Sequence, residues 1–233
     1  MYPWFKPQNN KKNIKKNILE RLERDKMTMG NHCIKLENQI KKILKVKYVV
    51  LTTSGTSALM MASIALGVKL NKKIICSDMN WVASVNPSKI LGAKIYLVDA
   101  QHRSHLTKFA IMNNTIQIIK PHTVILTHLN GEPSYNEDFL RLKKKLKFKV
   151  IEDAAQAFFV KNADKRFCGT SFDIGCFSLS ITKLINMVYG GFCVTNSKDI
   201  AKRLRAIRNN GIDAEPENAK LQLSTIIGLN FKP

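Results

Sequence analysis

The sequence predicts an α/β fold in which helices cover both faces of a mostly parallel sheet. Short β-branched or apolar runs alternate along the chain with longer segments of helical periodicity. Parallel strands need crossover connections, which are usually helices, and this requirement produces such an alternation. A chain of 233 residues with 45% hydrophobic and 24% charged residues is long enough and apolar enough to bury one large core.

The individual elements follow from this alternation. The predicted strands are the runs at 48–52, 73–76, 95–98, 123–127 and 149–151. Helical spacing of apolar residues predicts helices over 34–44, 58–66 and 199–208, and a further helix with a lysine-rich surface around Phe139, Leu142 and Leu146. The helix over 58–66 is almost wholly apolar and ends at Gly67, so we expect it to be buried.

The first 29 residues differ in composition from the rest. They are basic and rich in asparagine, and Ile14, Ile18 and Leu22 have helical spacing. Gly30 ends this pattern. We therefore predict an N-terminal basic helical arm over 1–29 and one large domain over 30–233.

The net charge of +21 is compatible with nucleic-acid binding, with an anionic substrate or with a generally lysine-rich proteome. The chain has no helix-turn-helix, zinc-finger or RNP signature, so we expect no specific nucleic-acid partner. No apolar run approaches the ~20 residues of a membrane span, and the first residues lack a signal peptide's apolar stretch. We therefore expect a cytoplasmic protein with no membrane association. Five cysteines without a Cys-x-x-Cys pair predict reduced thiols and no metal site.

A candidate anion site lies between the first strand and the buried helix. The strand runs directly into Ser54-Gly55-Thr56-Ser57. At a helix amino terminus, free backbone N–H groups and the positive end of the helix dipole attract a phosphate. The alternative is an ordinary helix cap formed by Ser54 or Thr56.

A second candidate site lies in the stretch 148–191. Its first apolar run ends at Asp153, with Gln156 beyond it, and its second ends at Ser178, with Lys183 five residues later. An acidic residue at a strand end, a hydroxyl and a lysine can hold pyridoxal phosphate (PLP) by its ring nitrogen, phosphate and aldehyde. The alternative for Asp153 is a surface loop pair with Glu152.

An aromatic residue follows the second predicted strand. Trp81 either stacks on the pyridine ring of the cofactor or packs in the core. We assign His128, after the fourth strand, to hydrogen bonding at a loop edge and to no chemistry. In parallel sheets ligands lie beyond the carboxyl ends of the strands, and Ser54, Trp81, Asp153 and Lys183 all fall there.

These motifs, in this order from about Gly30 to the end of the chain, resemble the DegT/DnrJ/EryC1/StrS family of PLP-dependent sugar aminotransferases. The resemblance implies the large PLP-binding domain of a type I (aspartate-aminotransferase-like) fold. It implies transfer of an amino group, usually from glutamate, to a keto group of a nucleotide-linked sugar. Lys183 is then the Schiff-base lysine, and the reaction passes through pyridoxamine phosphate. Some members carry histidine instead and catalyse dehydration, so Lys183 favours transamination.

The resemblance also implies roles for residues outside these runs. Gln156 lies beside the ring, Ser178 binds the phosphate, and Asn230 reaches the phosphate of the partner subunit in a homodimer. The family's Gly-Glu-Gly-Gly is Val188-Tyr-Gly-Gly191 here, which leaves the substrate class open. The products of such enzymes belong to polysaccharide, glycan or antibiotic biosynthesis.

The family's C-terminal small domain is missing from this sequence. Either the chain is a fragment of a complete aminotransferase, or it is a shortened, catalytically incomplete homologue that acts as a binding or regulatory partner. The presence of the cofactor residues favours the enzyme. The missing domain argues against efficient turnover by this chain alone, because closure over the substrate supplies much of catalysis.

Overall fold

The computed structural model describes residues 15–16, 18–19, 29–100, 109–162, 164–212 and 226–233. Of the predicted N-terminal arm, Lys15, Lys16, Ile18 and Leu19 are described as helical, and Met29 is described in a bend. The rest of that arm lies outside the described residues.

Seven strands and six α-helices make up the described fold. The strands are β1 (Tyr48–Thr52), β2 (Lys73–Ser77), β3 (Lys94–Val98), β4 (Thr123–Thr127), β5 (Lys149–Asp153), β6 (Ile174–Ser178) and β7 (Gly191–Thr195). The helices are α1 (Asn31–Leu44), α2 (Gly55–Ala65), α3 (Asn86–Ile90), α4 (Phe109–Ile119), α5 (Glu137–Leu146) and α6 (Lys198–Arg208). Two short 3₁₀ turns, Val82–Ser84 and Leu129–Gly131, follow the ends of β2 and β4.

The strands form one sheet in the order β1-β7-β6-β5-β4-β2-β3. The pairs β6–β5, β5–β4, β4–β2 and β2–β3 are parallel, whereas β7 is antiparallel to both of its neighbours. Because β7 is antiparallel to both β1 and β6, β1 points the same way as the parallel strands. The predicted α/β class with a mostly parallel sheet is confirmed.

Helix α2 occupies the centre of one face of the sheet. Ala58, Met61 and Ala62 are fully buried and share a core cluster with residues of β6 and β7. An all-round apolar sequence requires such a position, because neither side of the helix is suited to water. The expected buried helix is therefore confirmed, although it begins at Gly55 instead of residue 58.

Polar residues at the two ends of α6 cap this helix and connect it to α1 and β1. Ser197 caps α6 by accepting the N–H of Ile200, and Arg208 at the other end is 4% exposed. Arg208 donates to Glu37 of α1 at 3.0 Å and to the carbonyl of Leu51 at 3.3 Å. This buried ion pair joins both helices to β1.

The described helices give no candidate membrane span, since none combines the necessary length and apolar character. The five cysteines are free thiols, and four of them are buried.

Candidate active site

Most of the residues singled out in the sequence lie at one edge of the sheet. The strands β1, β5 and β6 run in the same direction, so their carboxyl ends meet there, and β7 begins at this edge. The residues at or just beyond these ends, and beyond the end of β2, are Ser54, Gly55, Trp81, Asp153, Ser178 and Lys183. The strand topology therefore brings the predicted cofactor residues together.

The anion turn is also a capped helix terminus. Ser54 is the N-cap of α2, and its Oγ accepts the N–H of Ser57 at 3.0 Å. In an α-helix the first N–H groups have no partner four residues back, so those of Gly55 and Thr56 point out of the helix end. The helix cap and the anion site are thus compatible. Ser54 caps the amide of Ser57, and the amides of Gly55 and Thr56 remain for an anion.

Ser178 lies directly against this turn. A Cβ atom added to Gly55 would lie 2.9 Å from Ser178 Cβ and 3.3 Å from Ser178 Oγ. The hydroxyl predicted to bind phosphate is therefore beside the backbone amides predicted to bind it. Side chains larger than hydrogen at residue 55 do not fit this approach without movement of the turn.

Gly191 makes a second close approach to the same turn. A Cβ atom there would lie 2.4 Å from the carbonyl carbon of Ser54 and 2.6 Å from the nitrogen of Gly55. Gly190 also forms an isolated β-bridge with Ser54. Gly190 and Gly191, which follow the Lys183 loop, therefore pack against the backbone of the anion turn. The sequence alone did not indicate this contact.

Asp153 is buried at the end of β5, with 5% of its surface exposed. It accepts the N–H of Ala155 at 3.1 Å and contacts the hydroxyl of Ser84. Burial raises the pKa of the Asp153 carboxyl, and the hydrogen bonds from Ser84 and Ala155 and the charge of Lys183 only partly offset this rise. The alternative of a surface loop pair is wrong.

The hydrogen bonds of Ser84 depend on the protonation state of Asp153. Asn80 donates its NH₂ group to Thr127 Oγ1 at 2.7 Å and to Cys76 Sγ at 3.0 Å, so its carbonyl oxygen faces Ser84 Oγ at 2.9 Å. Ser84 has a single hydroxyl hydrogen and two acceptors, Asn80 and Asp153. Ser84 therefore donates to an ionised Asp153, or to Asn80 when the Asp153 carboxyl is protonated and donates to Ser84.

Glu152 precedes Asp153 and points to the opposite face of the sheet. It is fully buried and accepts the backbone N–H groups of Gly169, Ser171 and Phe172 at 2.8–3.0 Å. His128 Nε2 lies 3.1 Å from Glu152 Oε1. Glu152 therefore anchors the 169–172 loop and takes no part in the site.

His128 is at the start of the loop after β4 and forms hydrogen bonds, as expected, and it is fully buried. Its Nδ1 accepts the N–H of Ser134 at 3.1 Å, which requires a lone pair on that nitrogen. The ring proton therefore lies on Nε2 and is donated to Glu152.

Trp81 and Gln156 are at the open side of the site. Trp81 is 70% exposed, so the alternative of a core tryptophan is wrong and its ring is accessible. Gln156 is exposed, and its Oε1 accepts the N–H of Asn130 at 2.7 Å. This contact holds Gln156 against the turn that follows β4.

Lys183 lies in the loop that joins β6 to β7. Its N–H donates to Ser180 at 3.0 Å, and Met187 donates to Leu179 at 2.8 Å, so the loop folds back on itself. Lys183 is half-buried, and its charge acts on the Asp153 carboxyl, which places the two groups in one electrostatic environment.

Asn230 lies beside the carboxyl end of α6. It is exposed and pairs with Asn209 in an isolated bridge, and its neighbours Leu229 and Phe231 donate to the end of α6. The contacts that fix Asn230 are therefore with α6, and its predicted role requires a second chain.

The comparison with known proteins agrees with this geometry. The sequence profile of the DegT/DnrJ/EryC1/StrS aminotransferase family matches residues 8–232. The chain belongs to this family. Members of the family use PLP, and the described site residues fit that cofactor: a glycine-lined anion turn, a hydroxyl, a buried carboxyl and a lysine.

Two curated members of the family are similar in sequence. GDP-perosamine synthase of Escherichia coli O157:H7 is 30% identical over 203 residues, which are 87% of this chain and 54% of the relative. UDP-2-acetamido-2-deoxy-3-oxo-D-glucuronate aminotransferase of Pseudomonas aeruginosa is 29% identical over 188 residues, which are 79% of this chain and 51% of the relative. The chain thus spans about half the length of these curated relatives.

Solved structures of the family share the fold. A family aminotransferase from Brucella abortus superposes with a TM-score of 0.87 at 22% identity, covering 96% of this chain and 60% of that one. The NtdA protein from Bacillus subtilis, solved with its bound cofactor PMP, gives a TM-score of 0.87 at 23% identity, covering 99% and 51%.

Proposed function

We propose that this chain is the cofactor-binding part of a PLP-dependent aminotransferase that moves an amino group, from glutamate, to a keto group of a nucleotide-linked sugar. The observation that carries the proposal is the approach of Gly55 to Ser178 at the sheet edge where Asp153 is buried. PLP supplies a ring that withdraws electrons from the carbon next to a bound amino group. The named relatives that use GDP- and UDP-linked sugars support the substrate class.

The anion turn holds the phosphate of the cofactor. The amides of Gly55 and Thr56 donate to its oxygens, Ser57 and Ser178 offer hydroxyls, and the dipole of α2 favours the negative charge. Because these amides begin a helix whose Ala58, Met61 and Ala62 are anchored in the core, they need little reorganisation when the phosphate binds.

Asp153 faces the nitrogen of the pyridine ring. Burial raises the pKa of the Asp153 carboxyl, and a cationic ring nitrogen beside it would favour the ionised carboxylate. Ser84 would then donate its single hydrogen to Asp153 instead of to Asn80. The carboxylate would thereby remain hydrogen-bonded while it stabilises a protonated ring nitrogen.

Lys183 acts at the aldehyde end of the cofactor. Its Nζ is the group that would hold the cofactor covalently. Once an amino donor has taken that place, the free Nζ would be the base that moves a proton from the donor carbon. The folded-back loop limits the volume that this side chain can explore, which keeps it near the reacting atoms.

The open side of the site is shaped by Trp81 and Gln156. The exposed indole of Trp81 offers a flat apolar surface on which a pyridine ring can stack. Gln156, held by Asn130, lies beside the same ring.

We also propose that two chains form a homodimer around this site. The Lys183 loop exposes large apolar side chains: Ile181, Leu184, Ile185, Met187, Val188 and Tyr189. A contiguous apolar surface of this kind is typical of a protein interface. In this homodimer Asn230 donates to the cofactor phosphate of the partner subunit.

A single-turnover experiment tests the proposed reaction. The 233-residue chain is loaded with PLP, freed of excess cofactor and mixed with L-glutamate. We expect loss of the visible absorbance of the cofactor and release of one 2-oxoglutarate per bound PLP. Lys183→Ala abolishes both, whereas Lys198→Ala, which removes an exposed lysine of α6, leaves both unchanged. A chain that binds PLP but converts no amino donor would support the alternative of a non-catalytic binding partner.

A further inference from the structure

The edge of the sheet opposite the active site has an unusual composition. Five helix-to-strand connections lead into β1–β5 at this edge, and they comprise residues 41–47, 67–73, 89–94, 118–123 and 144–149. Together they contain 14 lysines, no arginine and no acidic residue. We call this surface the lysine edge. At the active-site edge, in contrast, Asp78, Asp99 and Asp153 end or follow strands.

The strand register places most of these lysines side by side. Lys73 of β2 is directly opposite Lys94 of β3, and Thr123 of β4 is directly opposite Lys149 of β5. The strands β5, β4, β2 and β3 are neighbours, and at the usual strand spacing they extend over about 14 Å. The connection into β1 lies beyond β6 and β7, and Asp173 precedes β6 at this edge. Four of the five connections therefore form one continuous surface, and the fifth lies farther along the same edge.

Each connection also exposes one large aliphatic side chain next to its lysines. Their exposed fractions are 43% for Ile43, 71% for Leu70, 73% for Ile90, 69% for Ile118 and 38% for Leu146. Each of them has a lysine within two residues in the sequence. Neither core packing nor the active site explains why each connection combines lysines with an exposed aliphatic side chain.

Among the described residues, much of the positive charge at this edge has no ion-pair partner. Asp173 forms an ion pair with Lys149 at 3.6 Å and with Lys143 of α5 at 2.9 Å. Burial lowers the pKa of the half-buried His122 imidazole, and the positive charges of Lys72, Lys149 and Lys69 lower it further. The edge therefore attracts anions.

We propose that the lysine edge is a docking surface for an anionic lipid bilayer. The ammonium groups contact headgroup phosphates, and the aliphatic side chains insert at the boundary between headgroups and acyl chains. This is surface attachment, which differs from the sequence-based expectation of no membrane association, and it requires no membrane-spanning segment. The active-site edge then faces the aqueous phase, where water-soluble substrates reach it.

The composition favours lipid over nucleic acid. Proteins bind nucleic acids largely with arginine and with exposed aromatic rings that stack on bases. The lysine edge has no arginine, and its single Phe, Tyr or Trp residue, Phe148, is 5% exposed. Exposed aliphatic side chains, in contrast, gain free energy from contact with acyl chains.

Vesicle flotation tests the proposal with the full chain. We expect binding to vesicles that contain phosphatidylglycerol, release at high salt, and no binding to pure phosphatidylcholine. A triple variant of exposed lysines, Lys42→Gln with Lys94→Gln and Lys144→Gln, should bind about 100-fold more weakly, since each lysine near an anionic surface contributes about fivefold. A control with the same change in net charge, Lys35→Gln with Lys165→Gln and Arg203→Gln, should bind almost as well as the parent. Equal losses in both variants would overturn a localised docking surface.

A second pair of variants separates lipid from nucleic acid. Leu70→Ser with Ile118→Ser should weaken vesicle binding, whereas Ile34→Ser with Leu97→Ser, exposed aliphatic residues outside the lysine edge, should not. A single-stranded RNA probe is measured in parallel. RNA binding that depends on the lysines but not on Leu70 and Ile118, without vesicle binding, would overturn the lipid proposal. Circular dichroism and thermal unfolding confirm that each variant is folded.

Discussion

A methyl group added to Gly55 would fall 2.9 Å from Cβ of Ser178, so these two residues from distant parts of the chain are in close contact at the proposed phosphate site. Gly55 begins α2, and Ser178 ends β6. Their approach is possible only because residue 55 has no side chain.

The first prediction concerns this approach. Gly55→Ala should destabilise the fold by about 1–3 kcal/mol through overpacking. It should also weaken PLP binding by about tenfold or more, because a shifted turn loses at least one hydrogen bond to the phosphate. Urea unfolding and PLP titration measure the two effects. Adding Ser178→Gly should recover stability but not affinity, because the clash and the hydroxyl are removed together. Full recovery of PLP affinity would contradict the assignment of Ser178.

The second prediction concerns Ser84, which lies between Asn80 and Asp153. Ser84→Ala removes the hydroxyl that stabilises the ionised carboxylate, so PLP binding should weaken by about tenfold, the equivalent of one hydrogen bond to a charged group. Ser88→Ala is the matched control, because this buried hydroxyl contacts Ser63 at 3.2 Å, outside the predicted site residues. The control should lower stability alone. Similar losses of PLP affinity in both variants would show that Ser84 acts only through packing.

The third prediction concerns the pH dependence of stability without cofactor. The pKa of Asp153 is raised in the folded chain, so the unfolded chain releases this proton at lower pH than the folded chain does. The free energy of unfolding should therefore fall as pH rises above about 4, the ordinary value for aspartate, until the folded-state pKa is passed. Asp153→Asn should remove this decrease and gain stability relative to the parent as pH rises. Urea unfolding at a series of pH values measures the difference. A difference that does not change with pH would contradict the raised pKa.

The fourth prediction concerns Trp81, whose ring is exposed in the open site. The chain has two tryptophans, Trp4 and Trp81, so Trp4→Phe isolates the fluorescence of Trp81. PLP binding should quench this fluorescence, because stacking brings the two rings into contact. The complementary variant Trp81→Phe reports Trp4 and should show much weaker quenching. Quenching confined to Trp4 would exclude Trp81 from the cofactor site.

The sequence predicted the fold better than the environment of its polar residues. Apolar runs located β1 and β4 with the observed bounds, and β2, β3 and β5 to within two residues. The antiparallel strand β7 was missed because its five residues follow a loop that exposes apolar side chains of its own. A short apolar run has no periodicity that distinguishes a strand from a loop.

The candidate site shows a similar limit. Asp153, Ser178 and Lys183 could be found because each follows an apolar run. Ser84 could not be assigned, because its contact with Asp153 joins residues 69 positions apart and depends on the turn after β2. The burial of His128 was missed for the same reason, since its partner Glu152 belongs to the neighbouring strand. The spacing of Asn80 and Ser84, four residues apart after a strand end, was the available signal.

The most direct test of the central claim is covalent capture of the cofactor. The purified 233-residue chain is mixed with PLP, reduced with borohydride, digested and analysed by peptide mass spectrometry, with Lys183→Ala and the exposed-lysine control Lys198→Ala in parallel. We predict a visible absorbance band that reduction abolishes, with the reduced cofactor attached to Lys183. The band and the attachment should be absent in Lys183→Ala and intact in Lys198→Ala. A folded chain that gives no band, or that carries the cofactor on scattered surface lysines, would contradict the assignment of this site.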